Sequence, residues 1–254
     1  MLTLVTINYN NDDGLRRTLS SVDKQIIFND IEHIIIDGGS ADESVDVIRS
    51  YAAKKTNVYW VSEADKGIYN GMNKGLNLAS GDFVAFLNSG DVLADAHCLQ
   101  KKMDNFSENP EIDLIYGNLK FIDDMKRVTR KWEPGPFNSS KLLVGWMFPH
   151  PMTTIRRSIL IEFCGFDERY KIAADYDLML RIILGVPLQI RYIDNVMVLM
   201  EQGGVSNSSM LQILKSNVEV LSAWIRLRGI KAPFWIILTK PMIKLKQLSR
   251  WPVT

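Results

Sequence analysis

The 254-residue sequence predicts an α/β fold: a mostly parallel sheet flanked by helices, followed by a helical, basic tail. Three observations carry this. Strand-like and helix-like patterns alternate from residue 1 to about 106, the order expected where crossover helices join parallel strands. Successive strand-like runs end in amides or acids, at Asn8, Asp37 and Asn88/Asp91. The charge is also divided unevenly. Every Asp and Glu lies at or before Glu219, and seven basic residues follow it: Arg226, Arg228, Lys231, Lys240, Lys244, Lys246 and Arg250. The rest of the chain carries 23 basic residues against 29 acidic ones.

"LTLVTINYN" reads as a first strand, and "GLRRTLSSVDKQ" as a helix with Leu15, Leu19 and Val22 on one face. "IEHIIIDGG" is a second strand. Ser40 and Glu43 then form a capping-box pattern before "SVDVIRSYAAK". "NVYWVSE" is a third strand, "GIYNGMNKGLNLA" a helix in spite of its glycines, and "GDFVAFLNSGD" a fourth strand. Beyond residue 106 the order loosens. "DLIYGNLKFID" and "RVTRKW" read as a strand pair, and a Pro- and Gly-rich loop leads to "MTTIRRSILIEFCGF", a strand running into a short helix. "ADYDLMLRIILG" is a helix, "RYIDNVMVLME" a strand, and the chain from Met210 is helical with tryptophans. With no repeat and no low-complexity linker, the expected division is a domain over 1–209 and a tail over 210–254.

The composition, 46% hydrophobic and 23% charged, is that of a globular protein. Two cysteines, Cys98 and Cys164, make neither a disulfide framework nor a zinc site, are expected in the core and fit a reducing compartment. No leader pattern opens the chain, and no apolar run approaches the roughly 20 residues that span a bilayer. A cytoplasmic location is therefore expected, with no nucleic-acid partner.

In a parallel sheet the strand ends share one edge, which gathers Asn8, Asp37, Asn88 and Asp91 where doubly wound sheets bind ligands. Asp37 suits a ribose or base, or else caps the following helix. Asp91 suits a hard cation that also takes phosphate oxygens, or else is a turn residue or the N-cap of "VLADAHCLQKKM". "SEADKGIYNGMNKG" adds Asp65, Lys66, Asn73 and Lys74, a polar cluster in which lysine can meet phosphate. The G-x-G-x-x-G of dinucleotide oxidoreductases is missing, since "NYNNDDG" holds a single glycine.

Four stretches, taken in order, resemble the family 2 glycosyltransferases of GT-A fold: "VTINYN…GLRRTLSSVDKQ", "HIIIDGGSADES", "SEADKGIYNGMNKGLNLASGDFVAFLNSGD" and "GFDERYKIAADYDLMLR". The pattern is that of the bacterial exopolysaccharide and O-antigen subgroup, the colanic-acid type, and runs from residue 3 to about 206. The resemblance implies that Thr6, Asn8, Tyr9 and Asp37 contact base and ribose. Asn88-Ser89-Gly90-Asp91 stands where relatives carry Asp-x-Asp. Asp91 would hold Mg²⁺ or Mn²⁺ on the diphosphate, while Asn88 and Gly90 replace the earlier acids and so weaken the metal motif. Asp175 in "AADYD" stands at the catalytic-base position, though taken alone it reads as a helix N-terminal acid favoured by the helix dipole, with Asp177 structural. His150 in "FPHPM" would contact diphosphate or acceptor, or pack between its prolines. The implied reaction is an inverting displacement that moves a sugar from a nucleotide-diphosphate sugar to a saccharide acceptor.

The tail mixes Trp224, Phe234, Trp235 and Trp251 with basic residues, a composition suited to an anionic membrane surface and a lipid-linked acceptor on its cytoplasmic face. A helix packed on the domain, or a coiled dimer contact, is the other reading of the tail. The thinned acidic motif also allows a second function, a non-catalytic nucleotide-sugar-binding or scaffold subunit.

Overall fold

The computed structural model describes residues 1–123, 125–201 and 210–248. Its first half is built from β1 (Leu2–Asn8), α1 (Asp12–Asp23), β2 (Ile31–Asp37), α2 (Ser44–Ala52), β3 (Val58–Ser62), α3 (Ile68–Leu78), β4 (Phe83–Phe86), β5 (Val92–Leu93) and α4 (Cys98–Glu108). The second half is built from β6 (Leu114–Ile122), β7 (Val128–Trp132), β8 (Thr154–Arg156), α5 (Arg157–Glu162), α6 (Ala174–Gly185), β9 (Ile190–Glu201), α7 (Met210–Arg228) and α8 (Ile236–Leu248). One sheet takes up all these strands in the order β3-β2-β1-β4-β8-β6-β9-β5, with β7 paired to β6. Strands β1–β4, β6 and β9 run in one direction, and β5, β7 and β8 run against them. This is the expected α/β fold with a mostly parallel sheet.

Both faces of the sheet are covered, which is why β1 and β2 are buried along their whole length. Val5, Ile7, Ile34 and Ile36 face a core shared with α3, α6 and α7, while Leu2, Leu4 and Ile35 face one shared with α1 and α4. The glycines of α3 serve this packing. A Cβ on Gly75 would stand 2.3 Å from Val5 Cγ1, so only glycine lets the helix lie this close to β1. The expected cap at Ser40 is displaced. Its hydroxyl donates to Asp37 Oδ1 at 2.5 Å, and α2 begins four residues later, where Asp42 Oδ1 accepts from Ser44 N at 3.0 Å. "VLADAHCLQKKM" is not one helix capped by Asp91, because Val92–Leu93 pairs with β9 before α4 begins. Cys98 is buried as expected, whereas Cys164 is exposed.

The boundary expected at 209/210 is not a packing boundary. Val220, Ala223 and Trp224 of α7, Ala232, and Ile236 at the start of α8 are buried in the same core as α6. Arg226 donates to Asp177 Oδ1 at 2.8 Å, so one of the seven tail cations is used inside the fold. No helix among the described residues is long and apolar enough to cross a membrane. Lys244, Lys246, Arg250 and Trp251, on which the expected membrane contact partly rests, have side chains outside those described.

Lys102 of α4 is fully buried, with Nζ donating to the Met152 carbonyl and to Thr154 Oγ1. Burial pushes its ammonium down to about 7 from an ordinary 10.5. Between those values the unfolded chain holds a proton that the folded one lacks, so stability rises with pH across that window; below it the burial penalty is fully present. Lys102→Met should flatten this slope and raise the melting midpoint at pH 7 by about 2 °C or more, as 1 kcal/mol moves a domain of this size by about 2–4 °C. Thermal melts of both proteins at pH 7 and 9 check it; equal slopes would show that Lys102 carries no such penalty.

Candidate active site

Three strand ends lie side by side. Asn8 is in register with Asp37, and Asp37 with Ser62. On the other side of β1, Ser89 N donates to Ile7 O at 2.9 Å and seats the turn that follows β4. That turn is shaped by α1. The Gly90 N–H donates to Thr18 Oγ1 at 3.0 Å, and the same hydroxyl donates to the Asp91 carbonyl at 2.7 Å. Asn11 donates to the Ser89 carbonyl at 3.2 Å while its Oδ1 caps α1 at Gly14 N. Gly90 has φ +98°, a conformation that glycine adopts without strain.

Asp37 is buried, and its two oxygens accept from Asn8 Nδ2 (2.8 Å), Ser40 Oγ (2.5 Å), Ser40 N (2.9 Å), Gly39 N (3.2 Å) and Ser62 Oγ (2.7 Å). Burial alone would raise its carboxyl. These bonds, those from Ser40 foremost, outweigh burial and hold it below its usual range. Asp37 therefore fixes the loop after β2, and any nucleotide contact must exchange with one of these donors.

Asp91 is in the opposite condition. It is 6% exposed, and no ion pair reaches its carboxylate among the described residues. Burial, with the Glu201 carboxylate nearby, pushes it up to about 8. Asn8 Oδ1 and Asn88 Oδ1 are buried without a hydrogen-bond partner. So are both ring nitrogens of His150, whose ring stacks 5.6 Å from Phe86 and meets the edge of Phe166 at 5.5 Å. Burial lowers the His150 imidazole, opposed by the charge of Asp175. Buried polar groups in native proteins are nearly always bonded. Orphaned acceptors and donors gathered around the ends of β1 and β4 mark a place where a polar ligand completes the bonding.

Asp175 lies in the first turn of α6, where the helix dipole favours a carboxylate. Its Oδ1 accepts from Tyr176 N at 2.8 Å and lies 3.5 Å from the Tyr69 hydroxyl, which donates to the Ile172 carbonyl at 2.7 Å. Oδ2 has no partner among the described residues. Asp177 differs. It is fully buried between Arg181 (2.7 Å) and Arg226 (2.8 Å), in keeping with a structural part.

Several expected ligand contacts are engaged elsewhere. Thr6 is buried, with Oγ1 3.0 Å from His33 Nε2. Asn73 donates to Phe166 O and Glu168 Oε1, both at 2.9 Å, and accepts from Phe166 N at 2.8 Å. Asp65 pairs with Lys74 at 2.5 Å and wedges between Gly38 and Gly71. These three side chains shape the site. Tyr9, 64% exposed beside Gly38, and Lys66, exposed at the start of α3, keep their surfaces. Asn11 and Thr18, which build the 88–91 turn, escaped the sequence reading, since single polar residues on a helix carry no spacing signal. The same holds for Glu168.

Residues 3–166 match the family model described as glycosyl transferase family 2. An uncharacterized glycosyltransferase of Mycobacterium tuberculosis (strain ATCC 25618 / H37Rv) is 34% identical over 184 residues, 72% of this chain and 69% of that one. A PGL/p-HBAD biosynthesis glycosyltransferase of Mycobacterium bovis (strain BCG / Pasteur 1173P2) is 28% identical over 210 residues, 82% of this chain and 80% of that one. Among solved structures, S. aureus TarS 1–349 in complex with UDP superposes with a TM-score of 0.68 at 18% identity, covering 95% of this chain and 72% of that one. The mannosyltransferase PcManGT of Pyrobaculum calidifontis, in complex with GDP-Man and Mn²⁺, superposes with a TM-score of 0.66 at 15% identity, covering 99% of this chain and 76% of that one. These likenesses bear out the GT-A fold; with the family match over well over half its length, the chain belongs to glycosyltransferase family 2.

Proposed function

We propose that the protein is an inverting glycosyltransferase that moves a hexosyl or N-acetylhexosaminyl unit from a nucleotide-diphosphate sugar to a lipid-linked saccharide, in surface-polysaccharide biosynthesis of the exopolysaccharide or O-antigen kind. The observation that carries the reading is the set of orphaned polar atoms of Asn8, Asn88 and His150 around one sheet edge, beside the buried Asp91, with Asp175 close enough to act on His150 electrostatically. Tyr9 offers an exposed ring at the end of β1 for the base, and Asp37 holds the Gly38-Gly39 loop beside it. Lys66 and His150 supply donors for phosphate oxygens. Asp175 takes the proton of the acceptor hydroxyl as that oxygen attacks the anomeric carbon, opposite the departing nucleoside diphosphate. The configuration inverts, so an α-linked donor gives a β-linked product.

The donor set suits a hard divalent cation such as Mg²⁺ or Mn²⁺, because Asp91 is a buried carboxylate without a counter-charge and Asn88 Oδ1 is a second free oxygen. No cluster of three acidic, His or Cys ligands occurs among the described residues, so these two would share the ion with donor phosphates. Such an ion would stabilise the charge of the leaving diphosphate. Asp91→Asn should abolish Mn²⁺ stimulation of donor turnover. Between pH 3.8 and about 8 the folded state keeps a proton that the unfolded chain has lost, so Asp91 costs metal-free stability as pH rises through that window. The variant should therefore melt higher than wild type at pH 7 without metal. Nucleoside diphosphate release from a panel of UDP-, GDP- and TDP-sugars, with and without Mn²⁺, tests both function and metal. Unchanged stimulation in the variant would remove Asp91 from the metal site, and panel-wide inactivity with retained nucleotide binding would favour the scaffold reading.

The membrane part of the proposal is supported by Phe234, Trp235, Leu238 and Met242, all more than half exposed around α8 and near basic residues. In this reading the enzyme works at the cytoplasmic face of an anionic membrane, where a lipid-linked acceptor is presented.

A further inference from the structure

The segment before Asp175, Lys171-Ile172-Ala173, leads into α6, which begins at Ala174 with Ala173 as its cap residue. The backbone amides of this segment are bonded by a residue of another helix. Glu219 of α7 accepts from Lys171 N on Oε1 at 3.0 Å, and from Ile172 N at 2.9 Å and Ala173 N at 2.8 Å on Oε2. The same helix holds the residues that follow Asp175. Trp224 Nε1 donates to the Tyr176 hydroxyl at 3.0 Å, and Arg226 Nη2 to Asp177 at 2.8 Å. Glu219 and Arg226 are seven residues apart, two turns along one stripe of α7, with buried Val220, Ala223 and Trp224 between them. Asp175 thus sits on a segment gripped from α7 both before and after it, and α7 lies wholly beyond residues 3–166.

We propose that Glu219 is a positioning residue for Asp175, a carboxylate that pins the segment entering α6 and so holds the first turn in place. The proposal rests on Asp175 being the base. Its physical basis is the number of bonds made by one side chain. Three backbone donors in succession on one carboxylate leave the segment no alternative register, and charge-assisted bonds of this kind are about twice as strong as neutral ones. Tyr69 adds a fourth tie through the Ile172 carbonyl at 2.7 Å. No other residue bonds the amides of Lys171, Ile172 or Ala173 among the described residues. Without Glu219 they turn to water, and the first turn of α6 shifts or frays with the base on it. A reacting group misplaced by about 1 Å costs up to about 10²-fold in rate.

The test compares Glu219→Gln and Glu219→Ala with wild type and with Val218→Ser, an outward-facing position of α7 that is 64% exposed. Release of nucleoside diphosphate from UDP-GlcNAc and from GDP-mannose gives kcat and KM at a temperature well below every melting midpoint, and hydrogen exchange follows residues 171–175. The expected result is a kcat lowered about tenfold or more in Glu219→Ala and less in Glu219→Gln, which keeps one acceptor. The donor KM should stay within about twofold, exchange should be faster at 171–175, and Val218→Ser should behave as wild type. If Glu219→Ala does not fold, Glu219→Gln decides. Asp175→Asn is run beside them. If it is inactive while the soluble Glu219 variants keep wild-type kcat, the positioning role is overturned and the base is not. If Asp175→Asn keeps its turnover, the base assignment fails and this proposal falls with it. A loss confined to KM, or one matched by Val218→Ser, would show a general effect of α7 and also overturn it.

Discussion

Asp175→Asn should lower turnover by about 10²–10⁴-fold, the usual contribution of a positioned general base, while nucleotide affinity stays within about twofold. Both halves follow from where the side chain sits. Asp175 Oδ1 is anchored by the Tyr176 amide at 2.8 Å, leaving Oδ2 for an acceptor proton. Asn keeps the shape and the anchor but cannot take that proton. The proton moves only in the transition state, so the loss should appear in kcat and kcat/KM together, with donor KM unchanged. Steady-state kinetics alongside calorimetric UDP binding reads both quantities. A variant retaining most of its kcat would remove Asp175 from the chemistry, and one that loses UDP affinity in step with rate would give it a donor-binding role.

Truncation from residue 222 should yield a protein that does not fold. The segment removed includes Ala223, Trp224, Ala232 and Ile236, all buried in the core with α6. Loss of a buried Trp side chain alone costs about 3–5 kcal/mol. Removing Arg226 also leaves fully buried Asp177 with one partner fewer. With the burial of Ala223, Ala232 and Ile236 lost as well, the cost is comparable with the total stability of a marginal domain, about 5–15 kcal/mol. Circular dichroism and size-exclusion chromatography should show an unfolded or aggregated product. A folded, monomeric truncation would mean that α7 and α8 contribute little to the core. The membrane proposal needs a gentler variant. Phe234, Leu238 and Met242 replaced together by Ser should fold as wild type yet pellet less with anionic liposomes at low salt; equal pelleting would remove α8 as the contact.

The first half of the fold was legible because its signals are local. Apolar strand runs ended in turn residues at Asn8, Asp37 and Asn88, and helical spacing followed the first two. Asp91 was legible as a chemical oddity because it closes an apolar strand. The packing of the tail on the domain was harder to read, for a physical reason. A run of basic residues without acids looks like a surface, and nothing within residues 220–236 shows that Arg226 reaches back to Asp177 or that Trp224 bonds Tyr176. Ser40 was misplaced likewise, since the capping-box spacing cannot reveal that Asp37 takes its hydroxyl. Thr6 was assigned to the ligand through the family resemblance and Asn73 as part of a polar cluster; their partners in the fold, His33 and the Phe166–Glu168 segment, are distant in sequence. Long-range bonds between single side chains leave no periodic trace.

The central claim is inverting transfer from a nucleotide sugar, and the anomeric configuration of the product tests it most directly. With the donor that the panel identifies and a soluble analogue of a lipid-linked saccharide, proton NMR of the freshly formed glycoside reports the coupling at its new anomeric centre. An α-linked donor is expected to give a β-linked glycoside that forms with wild-type protein and not with Asp175→Asn. An α-linked product, or nucleotide binding without any transfer, would contradict it.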